Sequence, residues 1–92
     1  MKGHPAKIDV ELRTFARSTI EQRKMSPPVT IELMDLGMNV FYKLMTRGKD
    51  SGGTWQFEGG PVPGSTGAHP TPWRVRFEEE GKKPFVLDCP FM

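Results

Sequence analysis

Apolar residues keep helical spacing in the first part of this 92-residue chain and strand alternation in the last part, with Gly48 near the change. No other feature constrains the fold as much. A helix and a sheet each bury one face, so both patterns in one short chain predict helices laid on one side of a sheet. A chain of this length buries only about 60–65% of its unfolded surface. One core therefore has to serve the whole molecule.

Ile8, Leu12, Phe15, Thr19 and Ile20, with Ala16 beside them, fall on one helical face. The spacing predicts a helix over 9–24, with Asp9 as its N-cap and Ser26-Pro27-Pro28 as its stop. Arg13, Arg17 and Lys24 form a narrow stripe away from that face, with Glu21 beside it. The plain reading is a solvated helix surface. The functional reading is a row of cations aimed at phosphates or at an acidic protein surface.

Residues 26–47 carry two signals. Val29, Ile31 and Leu33 alternate as in a strand, whereas Leu33, Met34, Gly37, Val40, Phe41, Leu44 and Met45 repeat as in a helix. Ser26 as N-cap, Pro27 as first helical residue and Gly48 past the end favour a second helical segment, broken near Gly37. Within it, Glu32 to Met45 resembles the helix-turn-helix DNA-binding motif in its Leu36-Gly37 turn and its aromatic, basic second half. That resemblance implies a winged-helix regulator, with residues 38–47 in the major groove and Glu79 to Lys83 as the wing.

After Gly48, Trp55 and Phe57 share one strand face. Residues 59–72 combine glycine and proline too densely for a helix or a central strand and read as an irregular loop. Trp73, Val75 and Phe77 then alternate with Arg74, Arg76 and Glu78. Glu79 to Lys83 forms a hairpin turn, and Phe85 to Asp88 returns. These strands predict a three-stranded antiparallel meander with one aromatic face under the helices and Arg74 and Arg76 on the other. Trp55, Phe57, Trp73, Val75, Phe77, Leu12, Phe15 and Ile20 are the expected core.

Chemical motifs are sparse. His4, His69 and Cys89 lack the close spacing of metal ligands, so no metal site is expected. The glycines have no Walker lysine or following helix, so no phosphate loop and no cofactor are expected. Cys89 cannot form an internal disulfide, and Asp88 beside it opposes thiolate formation. The one catalytic constellation worth weighing is a metal-independent ribonuclease toxin, with His69 or Glu78 as acid/base and Arg74 and Arg76 stabilising the phosphorane. The lone cysteine and the charged N-terminal segment fit a soluble, cytoplasmic protein.

The expectation is thus a single α+β domain: an amphipathic N-terminal helix and a second, broken helical segment packed on a three-stranded meander. Its expected function is non-catalytic binding of a nucleic acid or nucleoprotein complex. Arg13, Arg17, Lys24, Arg74 and Arg76 would anchor the partner, although the formal net charge is only +2. In size, mild basicity and lack of catalytic motifs the chain resembles phage inhibitors of host nucleic-acid machinery, including anti-CRISPR proteins. That resemblance implies a role in blocking such machinery.

Overall fold

The structure, a computed structural model, describes residues 3–65 and 69–91, with side chains from Lys7 onward. One helix, α1 (Gly3–Arg23), precedes five strands: β1 (Val29–Asp35), β2 (Val40–Lys49), β3 (Trp55–Pro61), β4 (Trp73–Glu79) and β5 (Phe85–Asp88). The strands form one antiparallel sheet in the order β3-β2-β1-β4-β5. The chain therefore has one helix on five strands, not two helices on three.

The second helical segment is instead the β1–β2 hairpin. Its helix-like repeat arises because the hairpin folds the series back on itself, so that Leu33 lies opposite Tyr42 and Ile31 opposite Leu44. The turn explains the choice. Asp35 Oδ1 accepts the backbone N–H groups of Gly37 (2.9 Å) and Asn39 (3.0 Å), and Asp35 Oδ2 accepts from Asn39 Nδ2 at 3.2 Å. The side chain thus mimics a backbone turn, and Asn39 closes a hairpin within what was expected to be a broken helical segment. With residues 40–47 in β2 and 38–39 in the turn before it, the helix that the winged-helix reading needs is not there.

The meander is overturned as well. β4 and β5 do form the expected hairpin, but β3 lies at the far edge, separated from β4 by β2 and β1. Gly59, Gly60 and Pro61 extend β3 beyond the expected loop start and pair with Leu44, Lys43 and Tyr42. A Cβ on Gly59 would collide with the Lys43 carbonyl oxygen, so the close strand approach needs glycine there. The connection from β3 to β4 must then cross the end of the sheet.

Helix α1 begins earlier than expected, and Asp9 lies inside it rather than at its cap. Its end is a Schellman motif. Lys24 N–H donates to Glu21 O (3.4 Å), Met25 N–H donates to Ile20 O (3.0 Å), and Lys24 sits at φ 53. Met25 and Ile20 are both buried there, which supplies the apolar contact that usually accompanies this motif.

The core lies between α1 and one sheet face. Leu12, Ala16 and Ile20 meet Val29, Ile31 and Leu33 of β1, Tyr42 and Leu44 of β2, and Val75 and Phe77 of β4. Phe15, Trp55, Phe57 and Trp73 pack around them half-buried, so all eight residues expected in the core belong to it.

Candidate functional site: the charged surfaces and the His69 cleft

The five expected anchor residues fall on two opposite sides of the molecule. Arg13, Arg17 and Lys24 belong to α1 and its C-terminus. Arg74 and Arg76 alternate with the core residues Val75 and Phe77, so they project from the sheet face that α1 leaves open. A single flat contact cannot use both sets.

Arg13 is committed to the fold. Its Nε donates to Asp9 Oδ2 at 2.6 Å and its guanidinium reaches the Phe57 carbonyl on edge strand β3 at 3.2 Å. Asp9 Oδ1 in turn accepts the Tyr42 hydroxyl at 2.8 Å. This bridge ties α1 to β2 and β3. Burial, and then the hydrogen bond and charge of Asp9, push the Tyr42 hydroxyl up to about 12.

On the open sheet face every arginine meets a carboxylate. Arg76 donates to Glu32 (2.9 Å) and to Glu78 (3.3 Å), and Arg74 lies 3.7 Å from Asp88. Arg47 pairs with Glu58, and Lys43 stands across from Glu32 in the strand register. Four cations thus face four carboxylates, and the face is neutral. The aromatic side chains lie on the other side or at the sheet end, so this face also lacks the stacking platform that sheet-based nucleic-acid binders use.

Arg17 and Lys24 differ from these. Both are exposed, and among the described residues neither has a carboxylate within ion-pair distance. Glu21, which stands beside the stripe, accepts the Trp55 indole N–H at 2.8 Å.

His69 lies in the β3–β4 connection, against the β1–β2 turn. Its ring stacks on Phe41 at a centroid distance of 4.0 Å, and its Nδ1 is 3.6 Å from Asp35 Oδ2. Its Nε2 is buried without a hydrogen-bond partner among the described residues. The backbone N–H of Asn39, foremost, holds the Asp35 carboxyl below its ordinary value. An open cleft of about 560 Å³ lies here, lined in part by Asp35, Asn39, Ser65 and His69.

Of the two acid/base candidates for a ribonuclease, Glu78 shares the open face with Arg74 and Arg76 and accepts from Arg76 at 3.3 Å, whereas His69 faces Asp35. Glu78 pairs with Thr30 in the strand register, five residues along β1 from Asp35, or about 16 Å at strand rise, so His69 stands apart from the two arginines. Burial, foremost, and the negative charge of Glu11 raise the Cys89 thiol above its ordinary value, and its Sγ donates to Phe91 O at 2.9 Å. Among the described residues no group of three His, Cys, Asp or Glu is placed to hold a metal ion, and no helix is long and apolar enough to cross a membrane.

One structural residue escaped the sequence reading. Glu79 was expected in a solvated turn, but it ends β4 buried. Its Oε2 accepts the Ser26 N–H at 3.0 Å and lies 3.5 Å from Lys82 Nζ. The strict alternation Trp73, Val75, Phe77, Glu79 was the available signal. No family model, curated protein or solved structure matches the chain.

Proposed function

We propose that the protein is a non-catalytic binding module that engages a polyanionic partner, a nucleic acid or nucleoprotein complex, through the outer side of α1. The observation carrying this reading is the contrast in charge use. The arginines of the open sheet face are neutralised in place, whereas Arg17 and Lys24 remain exposed and without carboxylate partners among the described residues. Such cations release phosphate counterions on contact without breaking an internal pair. Arg13 serves as a strut rather than an anchor, and Arg74 and Arg76 lie outside the contact. A small module that covers nucleic-acid machinery in this way would act by obstruction, as an inhibitor does.

The test is an Arg17→Glu, Lys24→Glu double variant, measured by fluorescence anisotropy on short single-stranded and duplex nucleic acids across a salt series. Wild-type affinity should fall as salt rises. The double variant should bind at least tenfold more weakly, and its log–log salt slope should be shallower by about 2, one per lost phosphate contact. Both sites are exposed, so thermal stability should stay within about 0.5 kcal/mol per site. Equal affinity of wild type and double variant would remove α1 as the contact surface.

A further inference from the structure

Arg23, the last residue of α1, is a cation held by a ring. It is exposed, and among the described residues no carboxylate lies within ion-pair distance of it. Its guanidinium carbon stands 4.2 Å from the ring centroid of Phe85, the first residue of β5. Phe85 is half-buried and stacks with the fully buried Phe77 at 5.3 Å, with an interplanar angle of 12°. The series Phe77, Phe85, Arg23 thus leads from the core to solvent.

A second cation lies over a ring at the other edge of the sheet, Lys49 at 5.3 Å from the Trp55 centroid. The two differ in chemistry. An ammonium is a compact point charge, whereas a guanidinium is planar and stacks on flat rings. Arg23 is also well placed by the backbone, because the Schellman turn with Lys24 at φ 53 follows it directly. Lys24, and Lys83 two residues before Phe85 in the chain, are exposed and likewise without a carboxylate in ion-pair distance among the described residues. The carboxylates of the β4–β5 turn do not cancel them. Glu79 is engaged by Ser26 and Lys82, and Glu80 continues the even-numbered series of β4, which faces the open side.

We propose that Arg23 is a stacking site for an unpaired nucleobase, so that the contact on α1 selects single-stranded nucleic acid. The inference rests on the polyanion contact proposed above and names the form of the polyanion. Within a duplex both faces of a base are covered by its neighbours, and only an unpaired base has a face to offer. Such bases rest on aromatic rings and on arginine planes where proteins bind single strands. Lys24 and Lys83 supply charge for the flanking phosphates. Phe85, braced by Phe77, fixes the platform before the base arrives, which lowers the ordering cost of binding.

The probe is a short single-stranded DNA carrying one 2-aminopurine, a base whose fluorescence falls when it stacks. Wild-type protein should quench it to saturation and bind the single strand more tightly than the duplex of the same sequence. Arg23→Lys keeps the charge and removes the plane. It should lose most of the quench and bind the single strand at least about fivefold more weakly, with duplex affinity and salt slope unchanged. Phe85→Leu removes the ring that supports the guanidinium and should act the same way, with the circular dichroism of wild type as the check on its fold. Quench and single-strand affinity in Arg23→Lys equal to those of wild type overturn the stacking site. The contact on α1 survives that result if the Arg17→Glu, Lys24→Glu variant still loses affinity, so the two failures are told apart. Wild-type protein that binds neither form overturns both.

Discussion

The same strands build two unlike faces. On the face under α1 polar groups are few, and those present are used: Tyr42 bonds Asp9, Glu79 holds Ser26, and apolar side chains fill the space between. On the open face charged residues predominate beside Met34, Met45 and Val86, and each arginine there meets a carboxylate. A basic residue there reports on how the sheet is stitched, not on what the protein binds. The proposed contact rests instead on Arg17 and Lys24, which are exposed and without a carboxylate in ion-pair distance among the described residues.

The difference is also energetic, and the largest test belongs to the covered face. Phe77 is fully buried on β4, edge-on to Phe15 at 6.0 Å and stacked with Phe85 at 5.3 Å. Phe77→Ala should cost about 3–5 kcal/mol. Against a total of about 5–15 kcal/mol for a domain, that loss should leave the chain close to unfolding at room temperature. Urea denaturation of the variant measures it. A loss below about 1 kcal/mol would mean that the covered face is not the principal core.

How much of this was legible in sequence depended on how local the deciding contact was. The α1 face, the β4–β5 hairpin and the core residues follow from periodicity within short windows. The β1–β2 hairpin did not, because the spacing of Leu33, Met34, Gly37, Val40 and Phe41 satisfies a helix as well as a folded-back pair. The arbiter was turn chemistry, with Asp35 binding the N–H groups of Gly37 and Asn39. The strand order was out of reach for another reason. Only long-range pairing places β1 between β2 and β4, and a single sequence does not record it. The same limit held for the surface. Arg74 and Arg76 were rightly placed opposite the core, but Glu32, which neutralises Arg76, comes from a segment then read as helix.

A middle-sized effect sharpens the account of the covered face. The chain has a single tyrosine, so its ionisation can be followed at 295 nm without interference from another. Tyr42 should titrate near 12 in the folded protein, against an ordinary value of 10.0. Because the folded value is the higher one, the stabilisation is fully present below about pH 10. It is lost as pH rises from there through about 12. Tyr42→Phe should cost about 0.5–1.5 kcal/mol near neutrality, the ordinary worth of one hydrogen bond. A native titration midpoint at 10 would show that the bridge from Asp9 to Tyr42 is not formed.

The smallest effects should come from the open face, and they could break the comparison. Arg76 is 29% exposed and touches two carboxylates, one of them the mostly buried Glu32, whereas Arg74 meets an Asp88 that is 96% exposed. Arg76→Ala should therefore cost up to about 1 kcal/mol and Arg74→Ala close to nothing, because water screens an exposed pair almost completely. Added salt should narrow even that gap. If the polyanion contact proposed for α1 holds, both variants should keep wild-type affinity for nucleic acid, since each removes a cation that already meets a carboxylate. If Arg74→Ala instead left stability untouched but abolished binding, its pairing with Asp88 would be a resting arrangement that a phosphate displaces. The open face would then be the contact surface, and α1 merely the lid of its core.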